Sequence, residues 1–276
     1  MLFAKIFYIT TAAGILFELL TGCNGHSERV YDKEAYPATP IINYAVVQTY
    51  PHDTSMFTEG LVFYKGALYE SSGSPAERPY TKSIVGTVDL QTGKVTPKVT
   101  LDKTLYFGEG IVFLKDKLYQ LTYTNQKGFI YDAASFKKTG EFAYANREGW
   151  GLTTDGRSII MSDGTTDLTW LDPQTLHPVK TLAVTENGTL RDSLNELEFI
   201  NGAIYANVWT KPYILKIDTA SGEVTGRLDL SAIVDLVGFR KLNADVLNGI
   251  ACDAASGKVY ITGKLWPSVY EIDFQK

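Results

Sequence analysis

In Phe107-Gly108-Glu109-Gly110 a single carboxylate stands between two glycines at the head of an apolar run. A charge placed there is either wasted on a core or set to exchange protons, and the glycines let backbone or ligand approach closely. Four other segments carry a polar or aromatic residue at the matching place: Glu59, Trp150, Asn195 and Asn248. A second set follows 14 residues later in four of the segments and 16 later in the fifth: Gly73, Tyr123, Gly164, Trp209 and Lys264. A structural column repeats one residue type, as the glycine after the first set largely does. These two sets instead gather two carboxylates, two amides, a lysine and three large aromatics, an inventory suited to binding and reacting with a small polar ligand. Polar residues that face a channel and only bind water are the alternative.

The elements that must position these residues are repeats. The segments are "FTEGLVFYKGALYESSG", "FGEGIVFLKDKLYQLTY", "EGWGLTTDGRSIIMSDG", "SLNELEFINGAIYANVW" and "VLNGIACDAASGKVYITGK". Each is an apolar run, a turn rich in Gly, Asp or Asn, and a second run of β-branched and aromatic residues, which reads as a β-hairpin. Downstream of each comes an apolar residue, an Asp (Asp89, Asp132, Asp172, Asp218, Asp273) and a further turn. Four strands in roughly 40 to 50 residues is the size of a propeller blade. The fifth unit reaches Lys276 just after Asp273, so its outermost strand must come from elsewhere, and residues 42–50 are unclaimed. The prediction is an all-β, five-bladed β-propeller over 41–276, its ring closed by an N-terminal strand joining the last blade and its open sheet edges thereby removed. "SPAERPYT" in the first unit and the helix-like "SAIVDLVGFRKLNAD" before the fifth hairpin are both expected over one mouth of the ring.

Ahead of the ring, residues 1–22 combine Lys5, an apolar segment blemished by Glu18, and Leu20-Thr21-Gly22 before Cys23. This reads as a secretory signal of the bacterial lipoprotein type, with Cys23 lipidated; an ordinary cleaved signal with a stray cysteine is the alternative. Residues 23–40, polar and Pro-bearing, read as a flexible tether. The expected location is the cell envelope or periplasm, anchored to a membrane through Cys23. Cys252 is the one other cysteine and lies in an apolar strand pattern, as a buried inert thiol does. The 276 residues carry a net charge of −5 and no long basic run, which argues against nucleic acid as a partner.

Other chemistries lack their residues. There is no His-Glu-x-x-His and no pair of Cys-x-x-Cys motifs, and the three histidines are His26, His52 and His177, so no zinc site and no cofactor is expected. Neither a Gly-x-Ser-x-Gly elbow nor a phosphate-binding glycine loop occurs. The acids of "DGTTD" at 163–167 suit calcium but read more readily as a turn, and Asn187-Gly188-Thr189 matches a glycosylation acceptor, which is irrelevant if the lipoprotein-type signal marks a bacterial chain.

The motifs "PHDTSMFTEGLVF", "FGEGIV", "EGWGLTTDG", "LNELEFINGAIYANVW", "LNGIA" and "TGKLWP" together resemble the plant-type and bacterial glutaminyl-peptide cyclotransferases, over residues from about 45 to the C-terminus. The resemblance implies a five-bladed propeller that needs no metal and an aminoacyltransferase that converts the N-terminal glutamine of a peptide or protein into pyroglutamate, releasing ammonia. It places the family's catalytic carboxylate at Glu109, which can serve as general acid and base for both proton transfers. It suggests Asn195 and Lys264 for holding and polarising the amide oxygen. Trp150 and Trp209 would form a slot that bends the glutamine toward its own amine, with Glu59, Tyr123 and Asn248 around it and Phe57 and Phe107 as walls. Glu59 and Tyr123 depart from the family, in which several relatives have Gln and Trp. A non-catalytic propeller that binds a ligand or partner protein is the alternative; a lactone hydrolase would want more inward metal ligands. A monomer is expected.

Overall fold

Alternating apolar residues flanked by Gly, Asn and Asp turns become antiparallel sheet throughout residues 37–240 and 243–276, the part of the chain that the computed structural model describes. The expected signal, Cys23 and tether residues 23–36 lie outside the described residues. Five four-stranded sheets account for nearly all of it. From the inside outward, the first is Phe57–Tyr64, Ala67–Gly73, Ile84–Val88 and Val95–Thr100. The second is Gly108–Leu114, Lys117–Thr122, Lys127–Asp132 and Lys138–Ala143. The third is Leu152–Thr154, Ile159–Met161, Asp167–Leu171 and Pro178–Ala183, and the fourth is Leu194–Ile200, Ala203–Val208, Tyr213–Asp218 and Val224–Asp229. The fifth takes Leu247–Asp253, Lys258–Gly263 and Ser268–Phe274 from the end of the chain and Tyr44–Pro51 from its beginning, which pairs antiparallel with Ser268–Phe274. The innermost strands adjoin one another around a central channel, and this is the five-bladed propeller that the repeat predicts.

The aspartates at the outer turns act as local acceptors. Asp89, Asp132, Asp172 and Asp218 each take a backbone N–H two or three residues on, as from Gln91 at 2.8 Å and Ser221 at 2.8 Å. Asp273 differs, because it stands within a strand opposite Ala45 and its blade draws the neighbouring strand from the N-terminal side. Residues just before the ring also pair with it. Arg227 donates its backbone N–H to Pro40 and Ile42 donates to Arg227, so residues 40–42 cover the outer edge of the fourth sheet. Arg78 of the first irregular segment is ion-paired to Asp245 of the second, beyond the helix Ser231–Arg240, at 3.0 Å.

Two local devices aim side chains at the channel mouth. In the first, second, fourth and fifth sheets the innermost pair slips register, and the slip falls at Glu59, at Glu109-Gly110, at Asn195-Glu196 and at Asn248-Gly249. A bulge re-aims the residue that carries it, which is why these residues leave the alternation of their strands. The second device is the glycine that follows. A Cβ on Gly110 would lie 2.5 Å from the Trp150 carbonyl oxygen, and one on Gly151 would lie 2.2 Å from that of Asn195. Neighbouring blades therefore meet backbone to backbone. Gly151→Ala is expected to cost about 3 kcal/mol, the upper end for overpacking, because a main-chain atom must give way. Thermal unfolding at fixed pH would measure it.

Candidate active site

Seven of the ten column residues line one cavity: Glu59, Glu109, Trp150 and Asn195 of the first set and Tyr123, Trp209 and Lys264 of the second. Glu109 lies on the floor of a cavity of about 370 Å³, with Glu59, Asn195 and Lys264 beside it and Phe57, Phe107, Tyr123, Trp150 and Trp209 as walls. This volume is at the small end for ligand pockets and suits one amino-acid side chain with part of its backbone. The Trp150 and Trp209 rings meet edge to face at 6.0 Å, and so do Phe57 and Phe107 at 6.2 Å. Two glycines of the second column make room for this arrangement: a Cβ on Gly73 would fall inside the Phe107 ring edge at 2.0 Å, and one on Gly164 would touch Trp150 at 2.6 Å. Trp209 at 48 % and Tyr123 at 37 % exposure form the rim.

The backbone on either side of Glu109 is pinned. Gly108 donates its N–H to Ser83 Oγ at 2.7 Å, Ser71 Oγ donates to the Glu109 carbonyl at 2.6 Å, and Gly110 donates to the Trp150 carbonyl at 2.7 Å. Ser71 is held in turn by Gln120, whose Oε1 accepts the Tyr131 hydroxyl at 3.1 Å. The carboxyl itself is 4 % exposed. Burial pushes it well above the ordinary carboxylate range, Glu59 pushes it further, and the Lys264 ammonium only partly opposes them. A hydrogen bond to Glu59 and the charge of Glu148 act in the upward direction as well.

Glu59 has the same burial and a different partner. Lys264 Nζ lies 2.7 Å and 2.6 Å from its two oxygens and 4.7 Å above the Phe57 ring. Burial raises the Glu59 carboxyl, while the charge and hydrogen bonds of Lys264 draw it back down. Lys264 thus distinguishes the two acids: it pairs directly with Glu59 and offsets part of the rise that burial causes there, whereas Glu109 is pushed well above the ordinary carboxylate range.

Three expectations change. Asn248, expected against substrate, is fully buried and does not line the cavity; its Nδ2 donates to the Thr58 carbonyl at 2.9 Å and reaches Glu59 Oε2 at 3.5 Å. Its bulge turns it beneath Glu59, where it supports that side chain. Lys264, expected at the amide oxygen, spends two of its three N–H groups on Glu59. Asn195 lines the cavity, and its buried Oδ1, an acceptor without a hydrogen-bond partner, suits a substrate N–H rather than the amide oxygen.

Other residues go beyond the columns. Pro75 and Glu77, from the loop expected over the mouth, line the cavity. Glu148 Oε2 accepts the Trp150 indole N–H at 2.9 Å, and the pKa of the Tyr123 hydroxyl is raised by burial first and by the nearby Glu148 second. Glu196 occupies the one place in the glycine column that is not glycine. Its two oxygens accept the N–H groups of Leu61 at 3.1 Å and Ile250 at 2.8 Å, a bridge from the fourth blade to the first and fifth. The oddity of a carboxylate in a glycine column was the available signal.

The remaining motifs are structural. Asp163 of "DGTTD" accepts the Thr165 N–H at 3.0 Å and the Asn146 amide at 2.8 Å, as a turn aspartate does. Among the described residues no group of three or more His, Cys, Asp or Glu is placed to hold a metal ion. Cys252 is a free, half-buried thiol, pushed up to about 11 by burial.

The comparisons with known proteins agree with this geometry. The chain is 40% identical over 233 residues to a glutaminyl-peptide cyclotransferase of Arabidopsis thaliana, covering 84% of this chain and 71% of that one. The crystal structure of Myxococcus xanthus glutaminyl cyclase superposes with a TM-score of 0.78 at 34% identity, covering 86% of this chain and 98% of that one. The sequence model of the glutamine cyclotransferase family matches residues 18–274. Fold, site and sequence together make this chain a member of the glutamine cyclotransferase family.

Proposed function

We infer that the protein is a glutaminyl-peptide cyclotransferase, closing the N-terminal glutamine of peptides or proteins to pyroglutamate without a metal, and that Glu109 is its proton carrier. The observation that carries the reading is a buried carboxyl, Glu109, beside the Glu59–Lys264 ion pair in a pocket walled by aromatic rings. The substrate amine, with an ordinary pKa of about 8, attacks its own γ-carboxamide carbon in the neutral form. The C–N bond that closes the ring forms, and the carboxamide C–N bond breaks. Glu109 gives its proton to the departing nitrogen, which leaves as ammonia, and then recovers one from the nitrogen that attacked. The count balances and the acid is regenerated.

The other groups orient and stabilise. Asn195, its Oδ1 unpaired, is available to an N–H of the substrate. The third N–H of Lys264 would meet the amide oxygen as negative charge develops there. Trp150 and Trp209 confine the side chain in a folded conformation, so ring closure needs little further ordering. The test is ammonia release from a Gln-initiated peptide by the purified chain, with and without chelator, beside the same peptide with an acetylated amine. Turnover of the free peptide alone, unaffected by chelator, is expected; no turnover contradicts the activity, and loss with chelator contradicts the metal-free route.

The chain is further proposed to act as a monomer at the bacterial cell envelope, anchored through lipid on Cys23. The sequence around Cys23 supports the anchor. Labelled fatty acid entering the wild type and not Cys23→Ala would bear it out, and equal labelling of both would overturn it.

A further inference from the structure

Lys264 and Glu59 belong to segments 205 residues apart, yet the ammonium meets both carboxylate oxygens within 0.1 Å of the same distance. Something must hold those segments in register. Beneath the pair lies His52, its side chain fully buried and facing two acceptors: Nδ1 meets the Trp266 carbonyl at 2.8 Å and Nε2 meets Glu70 Oε2 at 3.0 Å. Trp266 follows Lys264 by two residues. The other Glu70 oxygen accepts the Thr58 hydroxyl at 2.7 Å, and Thr58 directly precedes Glu59. The two ends of the buried bridge thus reach the same two segments that carry the pair above it.

Further bonds knit this seam between the fifth and first blades. His52 donates its backbone N–H to Pro267 at 3.0 Å, Leu265 donates to Met56 at 2.8 Å, and Thr58 Oγ1 lies 3.3 Å from the Gly263 carbonyl. Leu265 has a φ of 61°, a left-handed conformation that a leucine adopts only when its surroundings impose it. The strained residue sits between Lys264 and the carbonyl that His52 grips.

We propose that His52 is a positioning residue for the reaction: the buried His52–Glu70 bridge registers the Lys264 turn against the Glu59 strand, and so sets the charge that faces Glu109. Nδ1, facing a carbonyl, bears a proton, and Nε2 shares a proton with the Glu70 carboxyl. Burial disfavours the imidazolium cation, but Glu70 above all, then the Trp266 carbonyl and Asp53, outweigh it and hold His52 above the ordinary imidazole range. Around Glu109 the charged groups are Glu59, Lys264 and Glu148. The kinetic consequence rests on the cyclotransferase reading; the electrostatic one does not.

Two variants and two readouts test it. In His52→Gln the Lys264 turn is released from Trp266, and in the milder Thr58→Val only the bonds from Thr58 are lost. Carboxyl ¹³C titration of Glu59 is expected to move up by about one pH unit in His52→Gln and by less in Thr58→Val, because the ammonium that draws it down is no longer held in place. In turnover, His52→Gln is expected to lower kcat about tenfold in the wild-type background and less than twofold in Lys264→Met, since residues that act through one another are not additive. An unmoved Glu59 midpoint in both variants, or an equal kinetic cost in both backgrounds, overturns the proposal. If the wild type turns over no Gln-initiated peptide, the functional reading fails and the titration still decides this one.

Discussion

Replacing Glu109 with glutamine is expected to lower kcat/KM for a Gln-initiated peptide by about 10²- to 10⁴-fold, the span usual for loss of a general acid–base, while making the folded protein more stable at pH 8. The two effects share one cause. The folded state raises the Glu109 carboxyl well above its unfolded value, so the native protein holds a proton that the unfolded chain has released. Stability associated with that proton is fully present below about pH 4.5, where both states bind it, and is lost as pH rises toward the folded value. Glutamine has the same shape and no charge to desolvate. Its advantage over the wild type is absent near pH 4, opens above the unfolded pKa, and grows by about 1.4 kcal/mol for each pH unit until the folded pKa is passed. Thermal melts of the two proteins at acid and mildly alkaline pH, beside their kinetics, measure both halves. A slow variant that is also less stable at pH 8 would mean that Glu109 is a packed structural acid.

The second large effect is expected at Lys264. Lys264→Met removes the cation from a carboxylate that is 2 % exposed, and breaking one side of a buried ion pair typically costs about 3 to 5 kcal/mol. Glu59 would then stay protonated to higher pH, so the loss is expected to be smallest in acid and to increase as pH rises. Adding Glu59→Gln removes the uncompensated charge, and most of the lost stability should return in the double variant, although activity should not. Denaturant unfolding of the wild type, the two single variants and the double variant checks this. Additive losses would show that the two side chains are not energetically paired.

How much of this was legible in the sequence depended on what each residue answers to. Glu109 was legible because a repeat makes its place comparable with four others, and a carboxylate among glycines has no packing reason to be there. The strand at 44–51 was legible through a deficit, the fifth repeat lacking one strand of its own. Asn248 was misplaced because sequence spacing assigns a column but not a direction, and the bulge at Asn248-Gly249 turns it under Glu59 rather than into the cavity. Lys264 lines the cavity, but its pairing with Glu59 was hidden because it depends on contacts between the two ends of the chain. His52 and Glu70 were invisible as a pair for the same reason: the residues are 18 apart and join only where the first and fifth blades meet. The notable feature of this site is therefore the division of two neighbouring acids by one lysine, and it arises from three-dimensional register rather than from any motif.

As the proton carrier for the leaving nitrogen, Glu109 is expected to hold a proton at rest, in the direction that burial and the charge of Glu59 push it. The infrared spectrum of the wild type minus that of Glu109→Gln, recorded at neutral pH, observes it directly. A protonated-carboxyl C=O band that belongs to Glu109 is expected, disappearing on titration to alkaline pH together with activity. A carboxylate band from Glu109 already at neutral pH, with full turnover, would contradict it.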